Sequence, residues 1–89
     1  MFKEQARSIP TKGEIYVHFK GNRYIIIDIA MHTETKELLV VYQALSDNKI
    51  YARPLVMFMS PVDKEKYPTA QQQYRFEQMD SEPKSKNNG

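Results

Sequence analysis

The sequence predicts a small all-β protein, five short antiparallel strands rolled into a barrel-like sheet with one short helical turn. Three observations carry this. Apolar and polar residues alternate with a period of two across much of residues 14–53, the spacing of side chains on a pleated strand. Clusters that favour turns, Lys20-Gly21-Asn22, His32–Lys36 and Ser46-Asp47-Asn48, fall between these runs at hairpin spacing. A chain of 89 residues is the length of one domain.

Each element has its own signal. Glu14–Phe19 forms the first strand, with Ile15, Val17 and Phe19 on one face and Tyr16 and His18 on the other. Gly21 and Asn22 tolerate the positive φ of the turn that follows. Tyr24–Met31 is dense in β-branched residues and reads as the second strand, with Ile25, Ile27 and Ile29 directed to the core and Tyr24, Ile26 and Asp28 on the opposite face. After the polar connection at His32–Lys36, Glu37–Ala44 is the third strand, where Leu39 and Val41 alternate with Val40 and Tyr42. Ser46-Asp47-Asn48 suits a tight hairpin into a fourth strand, Lys49–Arg53. Pro54 ends that strand because proline has no N–H for the ladder. Leu55–Met59 forms one helical turn closed by Pro61, residues 62–73 a polar loop, and Tyr74–Met79 a fifth, edge strand. Closing such a sheet limits exposed edges, and an SH3-like barrel or roll is the expected arrangement. Residues 1–12 read as a flexible arm with a short helix over Phe2–Ser8. Residues 13–79 are the barrel domain. Residues 80–89 contain no apolar side chain and are expected to be disordered.

Composition narrows the function classes. The absence of cysteine excludes a disulfide scaffold, a thiolate zinc site and a cysteine nucleophile, and fits a reducing compartment. The first residues lack the apolar core of a secretory signal, and the apolar run Tyr24–Ile27 is far shorter than the roughly 18 residues of a membrane span, so a cytoplasmic protein with no membrane association is expected. Residues 13–76 carry eight basic and seven acidic side chains. This near-neutral balance lacks the basic stripe that supplies affinity for phosphate backbones, so nucleic acid is not the expected partner, although a patch can assemble from residues distant in sequence. A domain this small buries only about 60% of its unfolded surface, which makes a stabilising second copy a natural expectation. Exposed Ile26, Val40 and Phe58 would form such a homodimer interface.

The spaced set Gly13-x-x-Tyr16-x-His18-Phe19-Lys20-Gly21-x-x-Tyr24, Ala30-x-His32-Thr33-Glu34-Thr35-x-Glu37, Val40-x-Tyr42-x-x-Leu45, Arg53-Pro54-x-x-Met57-Phe58 and Arg75-Phe76 resembles an uncharacterised bacterial family, domain of unknown function 1653. The resemblance covers about residues 13–77 and implies an SH3-like β-roll. It implies no activity, cofactor or catalytic residue. The family continues the leucine at 45 with Tyr-Gly, where Ser46-Asp47 stand here, and has glycine near position 64, where this chain has Lys64. Both departures lie in turns and imply an altered loop shape.

Several polar and aromatic residues are candidates for a site. His18 and His32, with Glu34 and Glu37, are donor types for a divalent metal, but two histidines on separate strands fall short of a metal signature, and no metal or other cofactor is expected. Glu34 is either a general base or part of a turn capped by side-chain hydrogen bonds. Arg53, on a short strand leading into a rigid turn, would clamp a carboxylate or phosphate, or pair internally with Asp28, Glu34 or Glu37. Tyr16, Tyr24, Tyr42, Tyr51 and Phe58 either fill the core or offer an aromatic surface. The expected site draws on Tyr16, His18, His32, Glu34, Tyr42 and Arg53. No nucleophilic triad or glycine-rich phosphate loop is present, and no catalytic residue is assigned. A binding module for a small anionic ligand or a protein segment is therefore favoured. The alternatives are a small enzyme with a Glu or His base and an Arg anion holder, or a structural subunit of a homo-oligomer.

Overall fold

The computed structural model describes residues 7–79. Residues 1–6, which hold most of the expected Phe2–Ser8 helix, and the expected tail at 80–89 lie outside the described residues. Five strands form one antiparallel sheet: β1 (Ile15–His18), β2 (Arg23–Met31), β3 (Leu38–Ala44), β4 (Ile50–Pro54) and β5 (Phe76–Gln78), with a short helix α1 (Leu55–Phe58) between β4 and β5. The spatial order is β4-β3-β2-β1-β5, a meander of four strands to whose first member the last strand returns. The small all-β architecture and the single helical turn are as expected. The hairpin turns lie where their residues allow them, with Gly21 at φ 108° and Asn48 at φ 62°.

The face that β2 turns to the core is not the expected one. Ile26 pairs with Tyr42 and Asp28 with Val41, so Ile27 is an extra residue that bulges out of the ladder. Before the bulge the core side chains are Tyr24 and Ile26; after it the parity flips and Ile29, opposite Val40, takes the core side. Ile26 is 1% exposed, whereas Ile25 and Ile27 are only partly buried. A run of consecutive isoleucines satisfies either parity, and the bulge uses this to present apolar residues to one face along a bent strand.

The core is an aromatic cluster: Tyr16, Ile26, Val40, Tyr42, Phe58 and Phe76, with Tyr24, Ile29, Leu55 and Met59 packed against it. Phe58 and Phe76 stack at 4.1 Å between centroids, and Tyr16 and Tyr42 meet Phe58 edge to face at 5.3 and 5.4 Å. Pro54 precedes the helix with φ −53° and ψ 137°, the extended conformation from which the four-residue turn starts, and the turn drives Phe58 into the sheet. Ile26, Val40 and Phe58, expected as an exposed dimer face, are instead the centre of this core, at 1%, 0% and 0% exposure. The reason is the parity of β2 and β3 together with the inward direction of α1, and these three residues cannot form an interface between copies.

After α1, Pro61 bridges Tyr74, and the amide of Arg75 donates to the carbonyl of Ser60, so the 62–73 loop leaves and returns at one point. The loop is polar, as expected, but anchored. Val62 is buried, the amide of Tyr67 donates to the carbonyl of Asp63 at 2.8 Å, and the Lys64 ammonium donates to the carbonyl of Ala70. Gln72 donates from Nε2 to the carbonyls of Val17 and Tyr74, which ties the loop to β1. Arg7 holds the segment before β1 by donating to the carbonyls of Met59 and Phe76, with its guanidinium 3.9 Å from the Tyr74 ring centroid.

Candidate functional site

The six residues expected at a site are distributed over three places. Tyr16 and Tyr42 lie in the core, at 3% and 4% exposure, closed off from a ligand in solution. Burial pushes both phenols above the usual tyrosine range, helped at Tyr16 by the Glu14 carboxylate and opposed at Tyr42 by the Arg53 guanidinium. His32 and Glu34 stand at the tip of the β2–β3 hairpin. There the His32 Nδ1 accepts from the amides of Glu34 and Thr35, at 3.2 and 3.3 Å, and the Thr35 hydroxyl accepts from the amide of Glu37. The histidine therefore builds the turn, while Glu34 is exposed. Among the described residues, no three or more His, Asp or Glu side chains stand together as a metal set requires.

Arg53 and His18 do come close. Arg53 lies opposite Val40 and so shares the core face of the curled sheet, whereas Asp28, opposite Val41, lies on the other face. The guanidinium stands over Phe76 and beside Tyr42. His18 lies opposite Phe76, with its ring 4.9 Å from the phenylalanine edge-on and 4.5 Å from Phe19. The His18 Nδ1 accepts from the amide of Lys20 at 3.1 Å. That bond suits the neutral imidazole with its proton on Nε2. Burial lowers the His18 pKa from the ordinary histidine value, and the positive charges of Arg53, Lys20 and Arg75 lower it further.

Beyond His18 the surface opens into a cleft of about 320 Å³, lined by His18, Phe19, Lys20, Asp63, Lys66, Tyr67 and Arg75. Three elements build it: the end of β1 and its turn, the start of the 62–73 loop, and the residue before β5. Its walls are Phe19 and Tyr67, packed edge to face at 4.9 Å. Two ammonium groups flank the tyrosine, Lys20 Nζ at 5.3 Å and Lys66 Nζ at 5.7 Å from its centroid. Against these lysines and Arg75 the cleft holds one carboxylate, Asp63, and its Oδ1 accepts from the amides of Glu65 and Lys66. The carboxylate keeps its charge, so among the described residues three cations and one anion line a small volume with aromatic walls, a net excess of positive charge. Such an arrangement holds an anion by charge and by hydrogen bonds from ammonium and guanidinium groups.

Of the cleft's residues only His18 belongs to the set expected from sequence. Lys20, Lys66, Tyr67 and Arg75 were not distinguishable as a group, because they are scattered through a chain whose overall charge is balanced. The available signals were the proximity of Lys20 to His18, and Arg75-Phe76 as a spaced landmark.

No curated protein and no solved structure matches the chain. A family model described as "Protein of unknown function (DUF1653)" matches residues 14–78, a span that contains every strand, the helix and all residues of the cleft. The chain belongs to this family.

Proposed function

We propose that the domain is a binding module for a small anionic ligand and that the anion sits in the cleft between the β1 turn and the 62–73 loop. The observation that carries this is the charge imbalance of the cleft, where among the described residues the three cations Lys20, Lys66 and Arg75 outnumber the one carboxylate, Asp63. Like charges gathered around a small volume repel one another, and a bound anion relieves that repulsion. The competing proposal of a small enzyme with Glu34 or His32 as base has less support. Glu34 is exposed at a hairpin tip, and the Nδ1 of His32 is occupied by the turn. A cytoplasmic setting is part of the proposal. It rests on the lack of cysteine and on the absence, among the described residues, of any helix long and apolar enough to cross a membrane.

The test is calorimetric titration with inorganic phosphate at low and moderate salt. Binding should weaken as salt screens the charges. Lys20→Ala and Arg75→Ala should each weaken it about fivefold or more, the scale of one lost charge-assisted hydrogen bond. Equal binding by the parent and both variants would remove the cleft as the anion site.

A further inference from the structure

A second cleft adjoins the first. Its volume is about 470 Å³, and it is lined by Phe19, Tyr67, Thr69, Ala70, Gln71 and Gln72. The two clefts share Phe19 and Tyr67, so the aromatic pair borders both a cationic compartment and one lined, among the described residues, by no charged side chain. The neutral compartment offers the Thr69 hydroxyl and the Gln71 amide, groups that both donate and accept hydrogen bonds. Its neighbours are fixed in place. Gln72 is bonded to β1 and to the carbonyl of Tyr74, the amide of Ala70 donates to the carbonyl of Tyr67 at 3.1 Å, and the carbonyl of Ala70 is held by Lys64. The platform is therefore already in place before anything binds, which lowers the ordering cost of binding.

From this geometry we infer that the ligand is a nucleoside monophosphate, its phosphate held by Lys20, Lys66 and Arg75 and its base against the Phe19–Tyr67 wall, with its polar edge toward Thr69 and Gln71. This rests on the anion site proposed above and adds the chemical class of its ligand. A simple anion has no use for the neutral half. A ligand that is charged at one end and planar with hydrogen-bonding edges at the other fills both halves. Aromatic side chains stack any base, and amides and hydroxyls meet its donors and acceptors. Each compartment lies within the size range of small-ligand sites, and the two share Phe19 and Tyr67 as lining.

The experiment compares adenosine monophosphate, ribose 5-phosphate, inorganic phosphate and an adenine tetranucleotide by calorimetry on the full chain. Adenosine monophosphate is expected to bind about tenfold tighter than ribose 5-phosphate or phosphate, the scale of one base–aromatic stack, and the tetranucleotide no tighter than the mononucleotide. Thr69→Ala changes a side chain that lines the neutral compartment alone, and should reduce that tenfold gain while inorganic phosphate still binds within about threefold of the parent. Gln71→Ala alters an exposed side chain and should reduce the gain without affecting the fold. Phosphate binding with no gain from the base, or a gain that survives both substitutions, overturns the nucleotide assignment and leaves the anion site standing. Failure of every anion to bind overturns both. Much tighter binding of the tetranucleotide replaces the mononucleotide with a single strand.

Discussion

The guanidinium of Arg53 stands 5.4 Å above the ring centroid of Phe76, although the two residues belong to the opposite edge strands of the sheet, β4 and β5. The sheet is curled enough for the Arg53 side chain on one edge strand to reach the Phe76 ring on the other. The charge of Arg53 meets the ring of Phe76 and stands beside Tyr42. Arg53→Ala is therefore expected to cost about 1–2 kcal/mol of stability in urea unfolding, with little change in phosphate affinity. The opposite pattern, full stability with lost binding, would move the anion site to Arg53.

His18 makes stability depend on pH. Its pKa in the folded protein is depressed by burial and by neighbouring cations, so the unfolded chain binds a proton more readily than the folded one. Stability therefore rises with pH through this group. It is lost as pH falls from the ordinary histidine value of 6.5 toward the depressed folded value, and the group adds no pH dependence above that window. His18→Asn keeps an acceptor for the Lys20 amide but cannot titrate. Unfolding midpoints measured from pH 7.5 to 5 should fall less steeply for this variant than for the parent. Parallel slopes would show that His18 is not the group responsible.

The bulge at Ile27 separates two neighbours of the same type. Ile26→Ala should cost about 2–5 kcal/mol, as for a fully buried aliphatic side chain, and Ile27→Ala less than half as much. Equal losses in chemical denaturation would contradict the register of β2 against β3.

Lys36, in the β2–β3 hairpin, has φ 66°, a conformation that strains a side chain with a Cβ. Lys36→Gly is expected to stabilise the domain by about 0.5–1 kcal/mol, because relief of that strain outweighs the greater freedom of glycine in the unfolded chain. A lower thermal midpoint for the variant would show that the lysine contributes a contact that offsets its backbone conformation.

Strand positions were legible because turn chemistry brackets them. Gly21 and Asn48 adopt positive φ in the turns their residues announced, and Pro54 ends β4 and leads into α1. The core face of β2 was not legible. Tyr24–Ile27 offers an apolar residue at every position, so periodicity alone cannot choose a parity or reveal a bulge. At the site, the pairing of His18 with positive neighbours was visible in part through Lys20. Lys66 meets Lys20 because the 62–73 loop folds back against β1, and Arg75 because β5 pairs with β1 and the Phe19 amide donates to the Arg75 carbonyl, long-range arrangements with no local signature in the chain.

The central claim, an anion held at the β1 turn, is tested most directly by mapping amide chemical shifts of the labelled protein during titration with inorganic phosphate. Saturable shifts centred on Phe19, Lys20, Lys66, Tyr67 and Arg75, with the His18 pKa moving upward as the added negative charge favours its protonated form, are the expected result. Shifts centred on His32 and Glu34 at the far hairpin, or no saturable shift at all, would contradict it.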